Sequence, residues 1–402
     1  MVQRVQRPER ESLPPEERRF FDAVKGIRRR PISGPFIVLM NSSPDLAARF
    51  AQLGHYFHSR GQADESIVPL RDRGFISLIG SRFLEAPYEW AAWHNWSVEA
   101  GVSQATADAI REGQPLTLDP TETLINDFVG QLVTGNHLVS DATYNAGLEQ
   151  YGNKGLVELV VTLGYFAMIA LPLNAFEMTM TAEQLGTRKP FKQLDVRGAP
   201  WSEVTAEDRA LVAFPLMKLR DRLPRLTEHD HLPGPDQHFL DRIVRSRGWV
   251  SPIFGVLLHS ADVAERIAHI GNYILYESKL PPQARAVTWL LTARDLDCAY
   301  SWHAGVEAAK ACELKSMLVD QIERNELPVA ATPAQRAVAT FVHQLLRGNH
   351  HVSDEAYAEA VEHFGVPGAV QIAATTGYIA MMSIIANAFE LSPAGDATRP
   401  AL

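Results

Sequence analysis

The chain has 402 residues, 38 of them basic and 47 acidic, which gives a formal net charge of −9 at pH 7. At about 150 residues per domain, this length predicts two or three domains, each able to bury a core. An apolar fraction of 46% and a charged fraction of 21% exclude disorder as the main state. The acidic balance, with Arg28, Arg29 and Arg30 as the one basic block, argues against a nucleic-acid scaffold, which needs an electropositive face for phosphates.

In chain order, residues 1–12 read as a loose arm without the apolar core of a secretory signal. Ser43 followed by Pro44 predicts a helix start, with Ser43 as N-cap and Leu46, Ala47 and Phe50 on its apolar face. Ser103 opens another helix after a Gly-Val turn, and Ser140-Asp141 caps a third. Residues 159–176 carry no charge. Their Gly, Thr, Asn and Pro172, and flanks without a Lys/Arg bias, favour a buried central helix over a membrane span. Residues 187–225, broken by prolines and glycines, read as a linker holding one helix over 206–219. Further on, 260–271 repeats the helical spacing, Ser353-Asp354 caps again, residues 364–389 form a second uncharged stretch, and the tail after Ser392 frays.

Self-similarity organises these elements. Gly135-Asn136-His137 and Ser140-Asp141 recur 213 residues later as Gly348-Asn349-His350 and Ser353-Asp354. At the same offset Gly164-Tyr165 matches Gly377-Tyr378, and Asn174-Ala175-Phe176-Glu177 matches Asn387-Ala388-Phe389-Glu390. Trp93-His94 finds Trp302-His303 at an offset of 209, which sets Glu89 against Cys298. Period-two alternation is scarce. The expected fold is all-α, two tandem helical bundles: an arm at 1–12, a first repeat at 13–182, a linker at 183–225 and a second repeat at 226–394.

Tyr88-Glu89-Trp90 through His94, followed by Ala100-Gly101, together with the run Pro69 to Ser77 before it, resembles the carboxymuconolactone decarboxylase family, of the alkylhydroperoxidase-D-like type. The likeness extends over both repeats. It departs from the family in three places: the family histidine falls on Trp93, the family acid before the motif falls on Gly74, and the second copy has lost Tyr-Glu-Trp, with Cys298 matched to Glu89. The resemblance implies a cofactor-free lyase acting on a small cyclic or lactone carboxylic acid from aromatic catabolism. It also implies a homo-oligomer, a trimer or a dimer, in which the tandem copies imitate two subunits.

Decarboxylation needs a place for the carboxylate, an electron sink in the substrate and an acid to protonate the carbanion. The candidates are His94 and His303 as proton donors, Glu89 as partner or base, and Glu307, at i+4 from His303, as its orienter. Trp90, Trp93 and Trp302 are candidate substrate walls, and Arg73 and Arg82 the nearest cations for a carboxylate. His137 and His350 are expected to tie a Gly-Asn turn to the helix that follows. A peroxidase of the family's other branch needs a Cys-x-x-Cys pair. Cys298 and Cys312 do not form one, so thiol redox chemistry at Cys298 is the alternative reading, and a degenerate binding scaffold another. Two cysteines in so long a chain fit a reducing, cytoplasmic setting. No metal motif, phosphate loop or nucleophile elbow appears, so the expected partner is the small acid substrate, without nucleic acid, membrane or cofactor.

Overall fold

The structure, a computed structural model, describes residues 3–29, 31–58, 66–189, 191–192, 219–326, 328–347 and 350–393. Among these residues every regular element is a helix. The first half contains α1 (Arg18–Arg28), α2 (Pro35–Met40), α3 (Pro44–His58), α4 (Leu70–Phe83), α5 (Pro87–Glu99), α6 (Gln104–Glu112), α7 (Pro120–Val133) and α8 (Asp141–Ala175), followed by the short α9 (Ala182–Leu185). The second half contains α10 (Gln237–Arg247), α11 (Pro252–Leu257), α12 (Ala261–Asn272), α13 (Pro282–Asp295), α14 (Ala299–Ala311), α15 (Ser316–Glu323), α16 (Pro333–Leu346) and α17 (Asp354–Ala388). The order of α1–α8 thus recurs as α10–α17. The helix expected over 206–219 lies outside the described residues except for Leu219, which is not helical.

Local chemistry starts and stops these helices at matched places. Proline occupies the first position of α2, α5, α7, α11, α13 and α16, where its missing N–H costs nothing. Asp119 and Glu122 form a capping box on α7, and Thr332 and Gln335 form its counterpart on α16. Ser103, Ser140 and Ser353 each accept a bond from the backbone N–H three residues on, as their helices require. Both long helices break at a glycine with positive φ, Gly152 at 63° and Gly365 at 67°, conformations that a side chain would strain.

Among the described residues the uncharged stretches of α8 and α17 lie against one another in the largest helix contact, and their apolar windows are wholly buried. Glycines permit the close approach. A Cβ on Gly164 would stand 2.7 Å from Cγ of Met381, and one on Gly377 would stand 2.7 Å from the carbonyl oxygen of Met168. These contacts are reciprocal: residues 164 and 168 of one half meet residues 381 and 377 of the other, as isologous packing about a two-fold axis demands. The same relation holds at the surface of the interface. Arg49 is clamped by Asp45 and donates to the His269 carbonyl at 2.9 Å, while Arg266 is clamped by Asp262 and donates to the Gln52 carbonyl at 2.7 Å.

The arm expected to be loose is docked. Arg4 donates to the Ala175 and Val352 carbonyls at 2.8 and 2.9 Å, pairs with Asp354 at 2.7 Å and lies over the Tyr357 ring. Its mirror is Arg222, which pairs with Glu390 at 2.5 Å and Asp141 at 2.8 Å and lies over Tyr144. Residues 4 and 222 are therefore equivalent straps from each half to the other. The histidine turns also differ from expectation. His137 and His350, at φ 56° and 55°, bond through Nδ1 to the Leu132 and Leu345 carbonyls, so each ring ties its turn back to the preceding helix.

Candidate functional site

Helix ends, rather than letter matches, set the register between the two motif helices. Ala86 caps α5 and its N–H reaches the Ser81 carbonyl; Cys298 caps α14 and its N–H reaches the Ala293 carbonyl. The preceding residues, Glu85 and Asp297, both have positive φ, and the C-caps are Ala100 and Cys312. The offset is therefore 212 throughout. Tyr88-Glu89-Trp90 corresponds to Tyr300-Ser301-Trp302, which corrects the pairing of Glu89 with Cys298. Cys298 replaces Ala86, and Val306 replaces His94. The shared Trp-His dipeptide is a coincidence three residues out of register, and Trp93 corresponds to Gly305.

In the first half, α5 enters with Glu89 in its first turn, where the positive end of the helix dipole favours a carboxylate. Glu89 is 2% exposed, and its Oε2 accepts a 2.6 Å bond from Nε1 of Trp93, four residues on and hence on the same face. Trp93 packs edge-on against Trp96 and Phe166, closing an aromatic wall behind the carboxylate. His94 faces another way. Its ring lies 4.7 Å from that of Trp90, Nδ1 meets Oδ1 of Asn95 at 2.9 Å, and Nε2 meets Nε2 of Gln104 at 3.2 Å. The fold brings Glu89 to Trp93 and His94 to Trp90, and it does not join Glu89 to His94 by a hydrogen bond among the described residues.

Neither candidate cation arrives at the carboxylate. Arg73 is fully buried and donates through Nε to the Val68 carbonyl at 2.9 Å and through Nη1 to the Phe57 carbonyl at 2.5 Å. Arg82 pairs with Glu85, donates to the Lys192 carbonyl at 2.8 Å and lies under the Phe191 ring. Phe191 also packs on Trp90, so the start of the linker covers the Trp90–His94 edge. The Trp90 indole N–H is buried without a hydrogen-bond partner among the described residues.

The second half places its candidates differently. His303 is exposed on α14, Glu307 forms an ion pair with Lys310 at 2.7 Å, and Trp302 is buried like its counterpart Trp90. Ser301, standing where Glu89 stands in the first half, accepts a 2.9 Å bond from Ser383. Cys298 is fully buried, its Sγ accepts from the Ser301 N–H at 3.4 Å, and burial pushes its thiol above the usual cysteine range. Cys312 lies at the other end of α14, about 20 Å away at 1.5 Å rise per residue, so a disulfide between the two is out of reach.

The sequence reading passed over a second buried carboxylate. Glu158, on α8 and wholly buried, accepts from Tyr56 Oη at 2.7 Å, Ser66 Oγ at 2.7 Å, the Ile67 N–H at 2.9 Å and Ser260 Oγ at 3.0 Å. Burial first, then Glu158, raises the Tyr56 phenol far above its ordinary value. The counterpart of Glu158 is Gln371, which accepts from Ser278 at 2.9 Å. The signal lay in the repeat itself: Glu158 borders the uncharged stretch 159–176 at a place where the second copy has the neutral Gln371. Among the described residues no three His, Cys, Asp or Glu side chains converge as a metal site would require.

Comparison with known proteins adds no relative: no family model, no curated protein and no solved structure matches this chain.

Proposed function

We propose that the protein is a cofactor-free, decarboxylase-like lyase acting on a small cyclic or lactone carboxylic acid, with its reacting group in the first half. One observation carries the reading: Glu89 is a buried carboxylate, oriented by the Trp93 indole at 2.6 Å and backed by aromatic rings, and the other half has Ser301 in its place. In such a reaction the C–C bond to the leaving carboxylate breaks, its electron pair enters the conjugated carbonyl of the substrate, and a proton returns to carbon. A carboxyl group held in a fixed direction suits that last step as the proton donor. Trp93 fixes the direction from which Glu89 delivers the proton. His94, bonded to Asn95 and Gln104, positions Trp90 rather than reaching the reacting carbon. The resemblance at Tyr88-Glu89-Trp90 supports the substrate class, and with it a cytoplasmic homo-oligomer, a trimer or a dimer.

A second reading, a binding scaffold without catalysis, is favoured by the commitment of Arg73 and Arg82 to carbonyls and to Glu85, which leaves a substrate carboxylate without either cation. Incubating the full chain with carboxymuconolactone and related lactone acids separates the two. Carbon dioxide release above the spontaneous rate, lost in Glu89→Gln, supports the lyase; no release from any of them supports the scaffold.

A further inference from the structure

Two buried donors without acceptors meet at one hydrocarbon ring. The Trp90 indole N–H, on a side chain 1% exposed, has no hydrogen-bond partner among the described residues, and neither has the buried Nε of Arg82. Both side chains touch Phe191. Its ring centroid lies 6.2 Å from that of Trp90 and 4.0 Å from the guanidinium carbon of Arg82. A phenyl ring has no lone pair to give either N–H, and a buried donor left without an acceptor is rare in a folded protein because its desolvation goes uncompensated.

The second half shows which part of this arrangement is structural. Leu84 and Leu296, the C-caps of α4 and α13, are each followed by an acidic residue at positive φ, so Arg294 is the counterpart of Arg82. Arg294 pairs with Asp297 as Arg82 pairs with Glu85. The ion pair therefore belongs to the shared fold. The remaining donors differ: Nε of Arg294 gives a 2.7 Å bond to the Glu323 carbonyl, whereas Arg82 reaches the matching Arg111 carbonyl through Nη1 at 3.3 Å and leaves Nε over. Phe191 itself is half-buried and belongs to no helix. The chain beside it is tied by two bonds, from the Lys192 N–H to the Arg111 carbonyl at 3.3 Å and from Arg82 to the Lys192 carbonyl at 2.8 Å. Its ring can leave Trp90 without unfolding any element.

We propose that the place Phe191 fills beside Trp90 and Arg82 is a binding site for the ring of a small planar carboxylate, and that Phe191 is a built-in plug which this ligand displaces. Such a ring keeps the apolar contact with Trp90 and the contact with the guanidinium, and its carboxylate oxygens supply the acceptors that Phe191 lacks. The inference requires a ligand but no chemistry at Glu89, so it holds under either reading of the function and is tested by binding alone.

Calorimetric titration of the full chain with sodium benzoate tests it, with sodium acetate as the oxyanion that carries no ring. Benzoate should saturate at one site per chain, and acetate should not. Phe191→Ala removes the plug and alters no helix; benzoate should then bind about tenfold tighter, because the site no longer waits for the ring to leave. Trp90→Phe in the Phe191→Ala chain keeps a ring in the core and deletes the N–H, and affinity should fall about fivefold, the worth of one hydrogen bond. A second readout needs no core substitution: in the proton spectrum of the Phe191→Ala chain, one indole N–H signal should shift in step with benzoate saturation. Benzoate that fails to saturate Phe191→Ala, binding no tighter in Phe191→Ala than in the parent, acetate that binds as well as benzoate, or indole signals that stay in place through the titration would each overturn the assignment.

Discussion

A methyl group at Gly377 probes the crossing of α8 and α17 on which the pseudo-two-fold rests. Replacing a mid-helix glycine by alanine gains about 1 kcal/mol of helix propensity, at Gly164 as at Gly377. Packing separates the two. At Gly377 the new carbon would lie 2.7, 2.9 and 3.1 Å from O, Cα and C of Met168, all backbone atoms of a buried helix. At Gly164 it would meet first Cγ of Met381, at 2.7 Å, with Cα and Cβ at 3.3 Å, so the nearest obstacle is a side-chain atom that can give by a small χ adjustment rather than a backbone that must move. Overpacking costs about 1–3 kcal/mol, and an obstacle of backbone pushes the cost to the upper end, because the helices themselves must part. Gly377→Ala should thus be destabilised by about 2 kcal/mol net, and Gly164→Ala should stay within about 1 kcal/mol of the parent. At about 2 °C per kcal/mol for chains of this size, calorimetry should find Gly377→Ala melting about 4 °C below the parent. Equal melting of the two variants, or a lower melting temperature for Gly164→Ala, would refute the reasoning.

Other outcomes follow from the same geometry. Glu390, whose side chain is 6% exposed, is paired with both Arg222 and Arg220, so only the double change Arg220→Ala with Arg222→Ala strands it; that should cost about 3–5 kcal/mol, read as an early unfolding transition in urea, and either single change should cost less. Burial holds His350 below the ordinary histidine pKa, so the unfolded chain binds its proton first, and stability present above pH 6.5 is lost as pH falls through the folded value. His350→Asn keeps a donor and suits the left-handed turn at φ 55°, so it should flatten the dependence of melting temperature on pH between 7 and 5; an unchanged slope would assign that dependence elsewhere. Iodoacetamide at pH 8 should label one thiol in the folded protein and two in denaturant, as counted by mass spectrometry, because burial both hides Cys298 and keeps it protonated.

The helix ends were legible because they rest on local chemistry: Ser103, Ser140 and Ser353 cap, and proline opens, wherever an orphan N–H had to be met or avoided. The duplication was legible for the same reason, since matched caps and matched glycines repeat in order. The register of the motif helix was not. Trp-His caught the eye at an offset of 209, while the chain geometry that fixes Tyr300-Ser301-Trp302 opposite Tyr88-Glu89-Trp90 lies in the positive-φ residues Glu85 and Asp297, whose acidic side chains carry no glycine signal. Contacts between the halves were hidden in another way. Arg4 and Asp354 stand 350 residues apart, and their pairing depends on how the bundles cross, which no local pattern records. One trace of it was readable: Asp45 and Arg49, spaced i to i+4, recur as Asp262 and Arg266, and both arginines reach across the interface.

The functional account stands on Glu89 and on its asymmetry with Ser301. The direct measurement is turnover of a lactone acid that the parent protein decarboxylates, compared between Glu89→Gln and Ser301→Ala, with circular dichroism confirming both folds. Loss of an acid–base group costs about 10²- to 10⁴-fold, so Glu89→Gln should fall by that factor in kcat/KM while Ser301→Ala stays near the parent. Equal rates in Glu89→Gln and the parent, or a loss confined to Ser301→Ala, would contradict the placement of the reaction in the first half.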